Sequence, residues 1–249
     1  MSGIITFPSA SKHFRENSET PSTQFRCTGD EDRHHETKSR SKRQNKVYRN
    51  NFMSLRLQGP SLLLNSYAFT DIFGGCGMFM DITWNCPNTT TAKDVVNWIG
   101  IACSQSPGKR LANIVMNFHG DPGQVHIGEA SPEIFPGPGK GVWVPATFND
   151  IDITNVGTFS ALRSYTIGTI WFHSCALAGG QVGKRFCRQL ALNAQCRVVA
   201  PEETQTEWFA FLNVLFMPRG CIDDYEGKVY LWLPNGEQRD FDPNDGNWL

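Results

Sequence analysis

The stretch Asn113-Ile114-Val115-Met116-Asn117-Phe118-His119-Gly120-Asp121-Pro122-Gly123 decides how the chain is read. Its first half is a short, mostly apolar run bracketed by turn formers, the pattern of a strand buried on both faces. Its second half breaks into a polar, glycine-bearing loop. A second stretch repeats the design: Ile170-Trp171-Phe172-His173-Ser174-Cys175 runs into Ala176-Leu177-Ala178-Gly179-Gly180. In an open parallel sheet, the loops leaving the carboxyl ends of strands are where ligands meet reactive groups. His119 and Cys175 therefore stand where chemistry is expected.

Working outward from these stretches, the spacing predicts two helices. The first follows the Asn88–Thr91 cluster, where Thr91 or a neighbour caps it; Val95, Val96, Trp98, Ile99 and Ala102 share a broad apolar face, and Ser106-Pro107-Gly108 ends it. The second begins near Gly179-Gly180, with Val182, Phe186, Cys187 and Leu190 as its apolar stripe and Lys184, Arg185 and Arg188 on the other face. Strands are expected at 112–118, 166–174 and 197–200, so that strand and helix alternate. This predicts an α/β fold with a mainly parallel central sheet flanked by helices on both faces. Near the end, residues 228–233 and 237–241 flank Pro234-Asn235-Gly236 and read as a hairpin, because Asn-Gly supplies the positive-φ positions of a tight turn.

The chain has 249 residues, enough for a core of ordinary size, and a net charge of −1. Charge is uneven: residues 1–53 hold ten Lys/Arg and six Asp/Glu, whereas 54–249 hold thirteen and eighteen. Residues 9–50 have too few aliphatic side chains to offset chain entropy, so 1–53 is expected to be a disordered basic and polar tail ahead of one domain at 54–249. Its basic run, Lys38, Arg40, Lys42, Arg43, Lys46 and Arg49, is read as solvated rather than as a specific nucleic-acid contact. The start MSGIITFPSASKHF shows neither a basic leader region nor a long apolar stretch. The apolar run from Trp208 to Met217 is about half of what a membrane-spanning helix needs, and is expected in the core. Eight cysteines without a CxxC pair argue against a zinc ribbon or a secreted disulfide knot, and a reducing, cytoplasmic setting is expected. Cys76 and Cys86 are a candidate pair only if the protein is exported.

A thiol attached to a strand end suggests nucleophilic catalysis. Free cysteine is mostly protonated near pH 7 and needs a group that takes its proton, a range histidine suits. The plain alternatives are an inert core cysteine and a histidine that only makes a turn. His173 shares a strand face with Cys175 and is read as a core or supporting residue ahead of a base. His126 is read as structural. Asp121 either orients His119 or caps the turn with Pro122. Glu202 and Glu203, after the 197–200 strand, either line a pocket for a basic substrate group or belong to a solvated loop.

The pieces NIVMNFHGDPG, IWFHSCALAGG and RVVAPEETQT resemble the caspase-like clan of cysteine peptidases. That group includes caspases, gingipains, legumain, separase and bacterial CHAT-domain proteases, and the last are the nearest in pattern. The resemblance covers roughly Leu111 to Thr206. It implies a caspase-like sandwich, with Cys175 as nucleophile, His119 as acid/base partner and the N–H groups of Gly120 and Cys175 as oxyanion donors. Asp121, His173, Glu202 and Glu203 are then candidate substrate-pocket residues. Caspases place Gln-Ala before the nucleophile and Gly soon after. Here His173-Ser174 and Ala176-Leu177 take those places, so a preference for aspartate is not implied.

The function expected from these residues is hydrolysis of peptide bonds through an acyl-enzyme, with a polypeptide substrate, no cofactor, no metal, no membrane span, and a dimer or activating partner as an option. The alternatives are a silent caspase-like scaffold and a thiol acyltransferase.

Overall fold

Strands form where the apolar runs lie. The computed structural model describes residues 54–66, 78–127, 150–205 and 218–243. The expectations for the tail 1–53, for Cys76 and for the apolar run 208–217 fall outside them. The strands are Ser54–Arg56 (β1), Ser61–Ser66 (β2), Ile82–Cys86 (β3), Arg110–Asn117 (β4), His119–Asp121 (β5), Gln124–His126 (β6), Thr166–His173 (β7), Arg197–Pro201 (β8), Cys221–Asp223 (β9), Val229–Trp232 (β10) and Gln238–Phe241 (β11). The α-helices are Ala92–Gln105 (α1) and Gly180–Ala194 (α2), and Val156–Ser164 forms a 3-10 segment. No described helix is long and apolar enough to cross a membrane.

Seven strands make one sheet in the order β11-β10-β8-β7-β4-β2-β3. The strands from β8 to β3 run parallel. The β10–β11 hairpin joins antiparallel at the β8 edge, its turn closed by Gly236 at φ 80°. The fold is thus mixed α/β with a mostly parallel sheet.

Parallel strands need crossovers, and crossovers are right-handed. The links β3 to β4 and β7 to β8, which carry α1 and α2, step the same way along the sheet, so the two helices lie on one face. Accordingly α1 and α2 both pack against the Val156–Ser164 segment. Only the β2 to β3 link steps back. The other face is closed by the β1–β9 ribbon and by Leu57, Met78, Met80 and Tyr225 around Trp171. The expectation of helices on both faces is corrected: among the described residues both α-helices cover one face.

Strand side chains alternate between these layers. Ile114, Met116, Ile170, Phe172, Val198 and Ala200 face the helices, while Val115, Trp171 and Val199 face the other side. Each large apolar side chain so buried contributes about 1.5–3 kcal/mol. The one polar atom of Trp171 is matched, since Nε1–H donates to Asn113 Oδ1 at 2.8 Å.

Helix α1 starts where the sequence places it. Thr91 Oγ1 accepts from the Asp94 N–H, and Asp94 accepts from the Thr91 N–H, a reciprocal cap. Val95, Val96, Ile99 and Ala102 are buried and Trp98 packs partly against the same core. In α2 the buried stripe is Gly183, Phe186, Cys187, Leu190, Ala191 and Ala194. Val182, expected in that stripe, is 64% exposed. It lies in the first turn, beside the turn at Gly123 rather than over the sheet: a Cβ placed on Gly123 would sit 2.9 Å from Val182 Cγ1.

Candidate active site at the carboxyl ends of β4 and β7

Register sets the site. Asn117, the last residue of β4, lies opposite His173, the last of β7. Each chain then runs two residues further, to His119 and to Cys175. The ends of β3, β2 and β4 are tied by an amide ladder, in which Asn117 Nδ2 donates to Asn65 Oδ1 at 3.2 Å and Asn65 Nδ2 donates to Asn85 Oδ1 at 3.3 Å. The buried amides of Asn65 and Asn117 satisfy each other, the exposed Asn85 extends the ladder, and together they hold the rim from which His119 departs.

Residues 175–178 form a turn between β7 and α2. Ala176 has φ 46°, a left-handed conformation that costs an alanine energy and is held by its surroundings. The Ala176 N–H donates to the Glu203 carbonyl at 3.0 Å and the Ala178 N–H to the Pro201 carbonyl at 2.8 Å, which moors the turn to the end of β8. Cys175 is partly exposed, and its Sγ–H donates to the Gln205 carbonyl at 3.6 Å. Gln205 is itself buried: its Nε2 donates to the carbonyls of Glu203 and Glu226, and its Oε1 accepts from the Glu226 N–H. One side chain thus joins the Cys175 turn to the acidic loop at 223–226.

Strands β5 and β6 form a small ribbon outside the main sheet, its tip at Gly123 with φ 81°. The Gly123 N–H donates to the Leu177 carbonyl at 3.0 Å, so the ribbon rests on the turn that follows Cys175. Gly120 approaches closest. A Cβ placed there would lie 3.1 Å from Ser174 Cβ and 3.3 Å from the Cys175 carbonyl oxygen. Val125 exchanges both backbone hydrogen bonds with Ile151, which leaves Gly120–Val125 as a non-hydrogen-bonded pair of the ribbon and directs the Gly120 N–H toward the edge away from β6.

On the ribbon's other face His119 lies directly across from His126. His126 Nδ1 is 3.1 Å from Asp150 Oδ2 and its Nε2 is 3.1 Å from Asp121 Oδ2. Burial opposes a charge on this ring, but hydrogen bonds to the two carboxylates and their negative charge outweigh it and push its pKa up to about 9. Asp150 also accepts from Gln124 Nε2 at 2.8 Å. His119 is exposed, yet desolvation where its ring meets the protein, and then the positive His126, push its pKa below the ordinary value; Asp121 opposes them.

The candidate residues separate accordingly. Gly120 meets Ser174 and Cys175, while the His119 side chain lies on the opposite face of the ribbon, across from His126. Asp121, read as orienting His119 or capping the turn, places its carboxylate on His126. His173 packs its ring 6.0 Å from that of Tyr225. Burial lowers its pKa while Asp223 raises it, and its place is in the layer beneath the rim. Both Glu202 oxygens are engaged, one by Lys184 Nζ at 2.8 Å and the other by the Tyr230 hydroxyl at 2.8 Å, which counts against an open pocket carboxylate. Glu203 is exposed and its carboxylate lies against Gly227. Cys86, from the pair considered under export, is a free buried thiol.

Three contributors escape a reading of the sequence: the Asp121–His126–Asp150 chain, Gln205 and the asparagine ladder. The only trace they leave is polar residues at the ends of apolar runs. No family model matches the chain, and no curated protein or solved structure matches it either.

Proposed function

We propose that the chain is a cysteine peptidase of the caspase-like type that hydrolyses polypeptides in a reducing, cytoplasmic setting. The observation that supports this reading is the seating of Gly120, next in sequence to His119, against Ser174 and Cys175 at the carboxyl edge of a parallel sheet. In the reaction His119 takes the proton of Cys175 Sγ–H, and the sulfur bonds to the substrate carbonyl carbon. The N–H groups of Gly120 and Cys175 hold the oxyanion. The C–N bond then breaks as His119 passes its proton to the departing amine. Water adds to the acyl-enzyme with its proton going to His119, the C–S bond breaks, and the thiol recovers that proton. The low pKa of His119 keeps its imidazole neutral and able to accept a proton near pH 7.

The test is cleavage of a fluorogenic peptide library by the full chain, with acyl thioesters assayed in parallel. Peptide turnover that falls at least ~10³-fold in both Cys175→Ala and His119→Ala supports the reading. Thioester hydrolysis without peptide cleavage favours a thiol acyltransferase. Turnover unchanged in Cys175→Ala contradicts the reading, and no activity in the wild type with Cys175 unreactive favours a silent scaffold.

A further inference from the structure

We propose that His126, held between Asp121 and Asp150 on the β5–β6 ribbon, is a positioning residue that ties the ribbon so that Gly120 stays against the Cys175 turn, and that it carries a positive charge across the ribbon from His119. The inference rests on the peptidase reading above for its purpose, and on the geometry of the ribbon for its content. Three separate pieces of chain meet at this one ring. Asp121 belongs to β5, His126 to β6, and Asp150 precedes Ile151, which bridges Val125. Residue His126 is 4% exposed and Asp150 is 7% exposed, so the bond between them competes little with water, whereas the Asp121 side chain is 56% exposed and closes the chain at the surface.

An imidazole between two carboxylates donates from both nitrogens only when it is protonated. The neutral ring has one N–H and would leave one carboxylate facing a lone pair. The geometry thus selects the imidazolium, and the high pKa agrees with it. Around the ring the charged or titratable groups include Asp121 and His119 on β5 and Asp150 beyond the ribbon. The nearby Gln124 is neutral and donates to Asp150. Where the ribbon meets the Cys175 turn and α2, the contacts come from Ser174, Cys175, Leu177, Gly179 and Val182, of which Cys175 is titratable and touches the ribbon through its backbone carbonyl.

Two consequences follow for catalysis. Mechanically, the clamp ties β5 to β6 and both to Asp150, so Gly120 keeps its close approach to Ser174 and Cys175. Electrostatically, the imidazolium faces His119 from the paired position and disfavours a second positive charge there, so His119 rests as a neutral base. The Asp121 carboxylate lies 3.1 Å from His126 Nε2.

The experiment is a titration of the imidazole Cε1–H signals by NMR in the full chain, from about pH 5 to 10, in wild type, Asp150→Asn and His126→Gln. Expected in the wild type are a His126 midpoint well above the ordinary 6.5 and a His119 midpoint below it. In Asp150→Asn the His126 midpoint falls. In His126→Gln the His119 midpoint rises, and the pH profile of Cys175 alkylation moves with it. A His126 midpoint at or below 6.5 in the wild type overturns the proposal without any variant having to fold. So does a His119 midpoint unmoved in a folded His126→Gln. None of these readouts uses turnover, so either failure leaves the peptidase reading standing. Correct shifts in a chain that cleaves no peptide would remove the peptidase reading and keep the clamp.

Discussion

Asn117 at the end of β4 stands in parallel register with His173 at the end of β7, and that pairing brings His119 and Cys175 to one edge of the sheet. The proposed chemistry depends on this register, since a slip of one residue would turn every side chain of a strand to the opposite face. The amide ladder from Asn85 through Asn65 to Asn117 helps to hold it. Replacing Asn117 with Ala leaves buried Asn65 Oδ1 without this donor and should cost about 1–3 kcal/mol. A urea midpoint unchanged from wild type would show that the ladder contributes nothing.

Gly120 is selected by close approach. A valine at this position drives its branched Cβ into Ser174, the Gln124 carbonyl and the Cys175 carbonyl, at 3.1, 3.2 and 3.3 Å from the first side-chain carbon. The ribbon must lift, which is overpacking of the kind that costs about 1–3 kcal/mol. Gly120→Val is expected to retain its circular dichroism, melt at a lower temperature and lose turnover out of proportion to stability. Full turnover in this variant would contradict the close packing of the ribbon on the Cys175 turn.

Gln205 is a test of how the Cys175 turn is moored. Its side chain makes three hydrogen bonds to backbone groups of Glu203 and Glu226 while buried. Gln205→Ala should destabilise the fold by about 1–3 kcal/mol and raise amide exchange in residues 203–205 and 223–226 ahead of the rest of the chain. Hydrogen exchange with mass detection reads this directly. Uniform exchange across both segments in wild type and variant would argue that other contacts hold the turn.

Stability should depend on alkaline pH through His126. Its folded pKa, about 9, exceeds the ordinary 6.5, so its stabilisation is fully present below 6.5 and is lost as pH rises through about 9. Asp121 contributes on the other limb: its pKa is lowered, first by the hydrogen bond to His126, so its share is present above 3.8 and lost as pH falls. Between about pH 7 and 10 the wild type should lose roughly 2–3 kcal/mol more than His126→Gln does. Parallel stability curves for the two proteins would contradict a charged His126.

Much of the frame is legible in the residues themselves. The Thr91–Asp94 cap, the apolar runs of β4, β7 and β8, and the Asn235-Gly236 turn are local signals, and each element forms within one or two residues of where its pattern lies. The covering of the sheet is not local. It follows from the direction in which successive crossovers step, which no single helix records, and so both α-helices share a face against expectation. Val182 fits the helical stripe by spacing alone, but the first turn of α2 meets the ribbon and not the sheet. His126 looks structural because its second partner, Asp150, is 24 residues away and only the fold brings it near. Asp121 and Glu202 were open alternatives for the same reason, and both found partners from other elements.

The central claim is a working pair of Cys175 and His119. It is tested most directly by alkylation rates of every cysteine against pH, by intact mass and peptide mapping, in wild type and His119→Ala. Burial pushes the thiols of Cys86 and Cys196 up to about 12 and Cys103 up to about 11, and raises Cys187 as well, so these serve as slow internal references. The account predicts that Cys175 reacts fastest at and below neutral pH in the wild type and falls back toward the references when His119 is removed. Equal rates for Cys175 with and without His119 would contradict the pair.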